Sequence, residues 1–151
     1  MSAMQLVTIA VLVILVLWML AAYNRLVKHR NEIGNAFAQI DVQLKRRHDL
    51  FPILVEVARK YVQHERDTLE AVIAARNAAA AGAPSAGSEA QLRVALDKML
   101  ALGEAYPDLK ASANFQQLQG ELGDVEDKLA ASRRALNAAV SRYNTGIQSF
   151  P

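Results

Sequence analysis

The sequence predicts an all-α protein: one N-terminal transmembrane helix, then an antiparallel bundle of three long helical segments, or four if Pro52 divides the first. Three observations lead to this prediction. An uninterrupted apolar run occupies residues 6–22. Beyond it, apolar residues recur at spacings of three, four and seven, which is typical of one helical face. No stretch shows the strict alternation of a half-buried strand. The predicted domains are an anchor at residues 1–23 and a helical bundle at residues 24–151.

The apolar run reads LVTIAVLVILVLWMLAA, and no charged side chain appears before Arg25. With Met4 and Gln5 it approaches the roughly 20 residues that a helix needs to cross a bilayer core. It is apolar on all faces, unlike the core helix of a soluble protein. A signal peptide would have basic residues before its apolar core and small residues at its cleavage site. Here no Lys or Arg precedes the run, and large residues fill the end of the run, so a retained anchor is favoured over a cleaved signal peptide. Trp18 and Tyr23 stand where interfacial aromatics belong.

The flanks of the run predict its orientation. Arg25, Lys28 and Arg30 follow the run directly, and no Lys or Arg precedes it. The positive-inside rule therefore places residues from 24 onward in the cytoplasm and the N-terminus outside. These basic flanking residues either contact an anionic leaflet or serve only as a topology signal on a solvated helix face.

Composition excludes several classes of protein. The chain of 151 residues has no cysteine, so it has no disulfide framework, no thiolate nucleophile and no cysteine-based zinc site. A net charge of +2 is too small to indicate a nucleic-acid partner.

The first segment after the anchor, residues 24–81, is predicted to be one long helix or two in line. Its apolar stripe comprises Ile33, Phe37, Ile40, Leu44, Phe51, Leu54, Ala58, Tyr61, Leu69, Val72 and Ala75. Pro52 interrupts the pattern, because a proline inside a helix removes one hydrogen bond and clashes with the preceding turn. We therefore expect a kink or break near Asp49 to Phe51.

Turn signals separate the later helices. Residues 82–88, GAPSAGS, are predicted to form a loop. Ser88 with Gln91 forms a capping-box signature that opens a second helix at 88–106, which Pro107 ends. Residues 107–114 form the next connection, in which Ser112 or Asn114 can cap a last helix at 112–150.

The last helix carries a heptad pattern with alanine and serine late in its second position. The first heptad position holds Phe115, Leu122, Leu129, Leu136, Tyr143 and Phe150, and the second holds Leu118, Val125, Ser132 and Ala139. Such small residues favour a tightly packed bundle over an isolated coiled coil. Gly120, Gly123 and Gly146 each lower helix propensity by up to about 1 kcal/mol, for which close approach of another helix is the only reason we find.

No residue set predicts catalysis, a cofactor or a metal. His64 and Glu65 begin like the zinc motif HExxH, but Thr68 stands in place of the second histidine. His29 and His48 have no partners at ligand spacing. The carboxylates are scattered singly, and no phosphate-cradling glycine loop is present. We therefore expect a protein that is not an enzyme and has no cofactor.

Lys45, Arg46 and Arg47 form the densest basic cluster. It is short and lacks interleaved aromatics, so it does not indicate nucleic acid, and about 30 Å of straight helix separate it from the bilayer. Together with Asp49 it is a candidate interhelical or intersubunit contact. The interhelical partners we expect for Arg46 or Arg47 are Glu121, Asp124 and Glu126.

The chain contains several short motifs that resemble those of the LemA family, and the resemblance covers residues 23–151. The motifs are DVQLKRR at 41–47, the following Asp49-Leu50-x-Pro52, His64-Glu65 before Thr68-Leu69-Glu70, AYPDLK at 105–110, Leu118-Gln119-x-Glu121-Leu122, Tyr143-Asn144 and the closing Phe150-Pro151. The resemblance implies a bacterial inner-membrane protein with a cytoplasmic up-and-down four-helix bundle and no established enzymatic activity. Members usually continue past the Phe-Pro with a segment rich in glycine and aromatics, so this chain is either a short member or trimmed to its ordered part.

Two functional interpretations follow. The first is a structural scaffold in which many anchored copies self-associate as a homo-oligomer at the bilayer. The second is an adaptor that holds a partner protein, such as a membrane protease or envelope factor, at the membrane. A third, weaker interpretation is envelope-stress or membrane-remodelling work, in which the basic half of the chain, including Arg25, Lys28 and Arg30, contacts lipid.

Overall fold

The computed structural model describes residues 2–81 and 86–149. Its helices are α1 (Ala3–Arg59), α2 (Arg66–Ala81), α3 (Ala86–Ala105), α4 (Pro107–Ala111) and α5 (Ala113–Gln148). No strand occurs in these two ranges. The all-α class and the antiparallel up-and-down helical bundle are therefore confirmed. The predicted loop at 82–88 lies outside the described residues at 82–85, and residues 86–88 already belong to α3.

The helices group into two compact units. Unit 1 comprises residues 1–40 and 130–151, which contribute the N-terminal part of α1 and the C-terminal part of α5. Unit 2 comprises residues 41–129, which contain the rest of α1, all of α2, α3 and α4, and the start of α5.

Unit 2 has a dense apolar core to which every one of its helices contributes. The most deeply buried side chains include Leu54 of α1, Val72 of α2, Met99 of α3, Leu109 of α4 and Phe115 of α5. Burying each large apolar side chain stabilises the fold by about 1.5–3 kcal/mol. The first half of the predicted α5 heptad, up to Leu129, is buried here.

The close packing in unit 2 explains one glycine. A Cβ atom at Gly103 of α3 would lie 2.8 Å from Cε1 of Phe115, whose ring is almost fully buried. Gly103 therefore makes the space that this ring occupies. Gly120 and Gly123 have no atom within 4 Å of such a Cβ, and we have no physical account of them.

Helix α1 continues through Pro52 to Arg59, so a break near Asp49 to Phe51 is wrong, and the alternative of a kink there stays a prediction. Proline cannot donate to the carbonyl four residues earlier, which is that of His48. Nε of Arg76 in α2 donates to this carbonyl at 3.0 Å. A side chain of the neighbouring helix thus replaces the hydrogen bond that Pro52 removes.

A turn at residues 60–65 separates α1 from α2. The turn contains neither proline nor glycine. Val62 is buried within it, and its N–H donates to the carbonyl of Ala58 at 3.0 Å. Arg59 in the last turn of α1 and Asp67 in the first turn of α2 both complement the helix dipoles.

The later connections differ from the prediction in detail. Helix α3 begins at Ala86, so Ser88 lies in its first turn instead of at its N-cap. It ends before Pro107 as predicted, but the connection after it contains the short helix α4 with Pro107 at its first position. Ser112 fills the predicted cap of α5, because its Oγ accepts from the N–H of Phe115 at 3.4 Å.

Unit 1 is a pair of antiparallel helices with little core. Among its described residues, Ala36 and Ala139 are the only buried apolar side chains. Leu136 and Tyr143 continue the α5 heptad but are only half-buried, and Phe150 lies outside the described residues. A Cβ at Gly146 would lie 3.4 Å from Cδ2 of Leu26, so another helix does approach this glycine.

Two residues of the predicted α1 stripe are exposed instead of buried. Phe37 is 53% exposed, and Ala36 beside it is buried in its place. Tyr61 is exposed and lies in the turn after α1, where Val62 is the buried residue. Adjacent helical residues face about 100° apart, so a shift of one position removes a side chain from the packed face.

The first part of α1 contains the apolar run. Among the described helices, α1 is long and apolar enough, by length and composition, to cross a membrane. None of the side chains in its most apolar stretch is buried by the protein. The hydroxyl of Thr8 donates to the carbonyl of Met4 at 2.9 Å, so this polar group is satisfied inside the helix.

Candidate functional site

The most highly organised polar group of unit 2 surrounds Arg47, which α1 directs into the bundle. Its Nη2 lies 2.7 Å from both carboxylate oxygens of Glu89 on α3. Its Nη1 donates to Oε1 of Glu126 on α5 at 2.9 Å. One guanidinium group therefore joins three helices, and only 9% of its side chain is exposed.

Burial by itself would lower the pKa of Arg47, because it disfavours the charged form. The hydrogen bonds to Glu89 and Glu126 outweigh burial and hold the pKa of Arg47 above its ordinary value. The group is therefore a permanently charged structural contact, and it cannot act as a proton donor or acceptor near neutral pH.

The neighbours of Arg47 make weaker contacts. Nη2 of Arg46 lies 3.7 Å from Oε2 of Glu121, and both side chains are partly exposed. Lys45 and Asp49 are exposed, and within the described ranges neither forms an ion pair. Of the four residues predicted as an interhelical or intersubunit contact, the structure thus places Arg46 and Arg47 against carboxylates of other helices.

One further polar group shares the inner face of α1. Gln43 lies one turn before Arg47 and is buried, and its Oε1 has no hydrogen-bond partner among the described residues. On the face of α1 that is buried in unit 2, the polar side chains of Gln43 and Arg47 therefore precede the apolar core residues. The sequence pattern had assigned Leu44 to this face, and Leu44 is only half-buried.

The basic residues that flank the apolar run lie in unit 1. Arg25, Lys28 and Arg30 are all exposed. Arg25 lines a groove between α1 and α5, which Lys28 and Arg30 do not. The structure therefore separates one member of this predicted set from the other two.

Glu32 forms the main ionic contact of unit 1. Its Oε2 lies 3.4 Å from Nδ1 of His29 and 3.4 Å from Nη1 of Arg142 on α5. The hydrogen bond with His29 lowers the pKa of Glu32, and the charges of His29, Arg142 and Lys28 act in the same direction. These contacts are longer and more exposed than those of Arg47.

The remaining histidines do not form a metal site. His64 is exposed, and Glu65 next to it accepts a hydrogen bond from the hydroxyl of Tyr106 at 3.2 Å. Burial and this bond raise the pKa of Tyr106. Within residues 2–81 and 86–149, no group of three or more His, Asp or Glu side chains is arranged to hold a metal.

Comparison with known proteins identifies the family to which this arrangement belongs. A model of the LemA family matches residues 36–151, which is most of the chain and all of unit 2. The chain belongs to the LemA family. The resemblance inferred from the short motifs is thus confirmed.

Individual relatives match at about 30% identity. Protein LemA of Metamycoplasma hominis is 30% identical over 131 residues, which cover 84% of this chain and 60% of that protein. Magnetosome protein MamQ of Magnetospirillum gryphiswaldense is 30% identical over 71 residues, or 47% of this chain and 26% of that protein. Magnetosome protein MamQ 2 of Paramagnetospirillum magneticum is 31% identical over 65 residues, or 43% and 24%. The matched part of the chain thus spans 60% of the first relative and about a quarter of the two MamQ proteins.

The sequence patterns did not predict several contacts of this LemA-family chain. Glu89 was not among the expected partners of Arg47, although an acidic residue in the first turn of a helix is a recognisable signal. The contact of Glu32 with Arg142 joins residues 110 positions apart. No local pattern predicts a pair so distant in sequence.

Proposed function

We propose that this LemA-family protein is a non-catalytic scaffold that self-associates in the bacterial cytoplasmic membrane. The observation that supports self-association is the composition of unit 1. Its helices bury two alanines within the described residues and leave larger apolar side chains uncovered. Because hydrophobic stabilisation scales with the apolar area removed from water, this helix pair gains little from its own contact.

Among the described residues of unit 1, the exposed large apolar side chains outside the apolar run are Tyr23, Val27 and Phe37 on α1 and Val140 and Ile147 on α5. Neighbouring copies that pack side by side would cover them. Anchoring in a membrane favours such packing, since confinement of the copies raises their effective concentration.

The proposed anchor is the first part of α1. Its apolar side chains have no protein cover, and a lipid environment would remove them from water. Arg25, Lys28 and Arg30 directly after the run support a cytoplasmic location for the residues that follow. Because the chain lacks cysteine, single-cysteine variants Ser2→Cys and His64→Cys can be labelled in intact cells. We expect an impermeant maleimide to label position 2, which is outside the cell membrane in the proposed topology. Position 64, which is cytoplasmic in that topology, should be protected.

The scaffold is tested by the mass of the full-length protein in nonionic detergent and in nanodiscs, measured by mass photometry. A discrete assembly is expected, which Phe37→Glu and Val140→Glu reduce to smaller species. Gln39→Glu places the same charge on an exposed position of α1 and leaves the assembly intact. A monomeric wild-type protein overturns self-association and favours the adaptor, which holds a partner protein at the membrane.

A further inference from the structure

The groove in unit 1 has a composition that neither an anchor nor a scaffold requires. It has a volume of about 810 Å³ and is bordered by α1 residues from Trp18 to His29 and α5 residues from Ser141 to Ser149. Binding sites for small molecules commonly have volumes of about 300–1,000 Å³. None of its lining residues is acidic, and two of them, Arg25 and Arg142, are arginines.

The two arginines are available to an anion. Arg25 is exposed and has no acidic partner within the described residues. Within the described residues, Arg142 forms one ion pair, in which its Nη1 lies 3.4 Å from Oε2 of Glu32, and exposed pairs of this kind are weak. Ser141 and Thr145 add hydroxyl groups on the α5 side. Guanidinium groups with nearby hydroxyls are the donors that proteins use for phosphate.

The groove begins inside the apolar run and ends beyond it. Trp18, Ala21 and Ala22 line its apolar end, whereas Arg25 is the first cation after the run. Arg25 lies three positions after Ala22, which is about 4.5 Å along the helix axis. In a bilayer, the groove would therefore extend from the first acyl carbons, next to the glycerol, into the headgroup layer.

We propose that this groove binds an anionic glycerophospholipid of the leaflet next to residue 24. The phosphate lies between Arg25 and Arg142, with hydroxyl donors from Ser141 or Thr145. The glycerol and the first acyl carbons lie along Trp18 and the alanines. The proposal rests on the membrane anchor inferred above but not on self-association. It gives the C-terminal part of α5 a second attachment to the bilayer.

The test uses the full-length protein in nonionic detergent and the fluorescence of Trp18, which is the one tryptophan of the chain. The probes are dioctanoyl phosphatidylglycerol, dioctanoyl phosphatidylcholine and inorganic phosphate. We expect a saturable response to phosphatidylglycerol, at least tenfold weaker binding of phosphatidylcholine, and no displacement of the lipid by an equal concentration of phosphate.

Variants separate a built site from general charge attraction. Arg25→Gln and Arg142→Gln should each weaken phosphatidylglycerol binding about tenfold, because each removes a charge-assisted hydrogen bond. Arg30→Gln removes the same charge from the same stretch of α1 outside the groove, and its binding should stay within twofold of wild type. Far-UV circular dichroism verifies that all three variants are folded.

Three results would overturn the lipid site. Equal losses for Arg25→Gln and Arg30→Gln would show that only net charge matters. Equal binding of the two lipids would show that headgroup charge is not recognised. Displacement by inorganic phosphate at equal concentration would assign the groove to a free anion. Two other results concern the proposals on which the site does or does not rest. If the protein is monomeric but still binds the lipid saturably through its arginines, self-association alone is overturned. If the protein does not partition into vesicles, the membrane anchor is overturned.

Discussion

Units 1 and 2 are built from the same two long helices but are stabilised in different ways. In unit 2, side chains from α2, α3 and α4 complete a core around α1 and α5, and the ion pairs of Arg47 are nearly buried. In unit 1 the two helices have no third partner from the described chain, and alanines form their buried contact. The apolar stripe of a helix therefore forms part of a hydrophobic core only where enough neighbouring helices cover it. Stability should accordingly be concentrated in unit 2, and unit 1 should depend on lipid or on other copies.

The largest expected difference comes from two leucines at equivalent heptad positions of α5. Leu122→Ala in unit 2 should lower the free energy of unfolding by about 2–5 kcal/mol, since it leaves a cavity in a closed core. Leu136→Ala in unit 1 should cost less than half as much, because Leu136 is only half-buried. Urea unfolding of the full chain in nonionic detergent, followed by circular dichroism, measures both. Equal losses would contradict the difference between the units.

The next effect concerns adjacent arginines of unit 2. Arg47→Gln should cost about 2–4 kcal/mol, because breaking a buried pair leaves a carboxylate without its counter-charge. We place it below the fully buried limit, since Glu126 is 47% exposed. Arg46→Gln should cost less than about 1 kcal/mol, as expected for an exposed pair. The same unfolding assay applies, and a cost for Arg46 equal to that for Arg47 would show that burial is not decisive.

The contact between Arg76 and the carbonyl of His48 should matter only while Pro52 is present. Arg76→Met should cost about 1.5–3 kcal/mol, because it leaves a main-chain acceptor without its charged donor. In a Pro52→Ala background, the N–H of residue 52 can donate to the same carbonyl, so the loss should fall to below about 1 kcal/mol. A double-mutant cycle measures this coupling, and strictly additive costs would reject it.

Glycine substitutions test packing at the helix surfaces of unit 2. Gly103→Ala should cost about 1–3 kcal/mol, since the new methyl group would overlap the buried Phe115 ring. Gly120→Ala meets no atom within 4 Å and should stabilise the helix by about 0.5–1 kcal/mol. Thermal melting of the two variants gives opposite signs if the packing is as described. A destabilised Gly120→Ala would reveal a contact from another copy or partner.

The smallest effect is an acid sensitivity of unit 1. Because the folded-state pKa of Glu32 lies below its ordinary value of 4.5, its contribution to stability is present above pH 4.5 and is lost as the pH falls through the folded pKa. Melts followed by Trp18 fluorescence at pH 6 and below pH 4.5 report this unit. Glu32→Gln should make them less pH-dependent, whereas Glu56→Gln, exposed in unit 2, should not. An unchanged pH dependence in Glu32→Gln would remove this role.

The helical class, the apolar run and the end of α3 before Pro107 could be predicted from the amino-acid sequence. These features depend on local patterns, such as the seven-residue spacing from Phe115 to Leu129 or the stop before Pro107, which act within a few turns of one helix. The LemA family was likewise readable from short motifs. The pairing of Arg46 or Arg47 with an acidic residue of the last helix was also predicted, because complementary charges on neighbouring helices can be recognised in the sequence, but not which of the two arginines would be buried.

Features that depend on residues far apart in the chain could not be predicted from the sequence. Arg76 keeps α1 continuous through Pro52, and Phe115 requires the glycine at position 103. Phe37 is exposed despite its place in an apolar stripe, because the packed face of α1 passes through Ala36. The groove that contains Arg25 and Arg142 exists because pairing of the two helices places residues 18–29 of α1 beside residues 141–149 of α5. Each of these features is set by which helix lies beside which, and a periodic pattern along one helix does not contain that information.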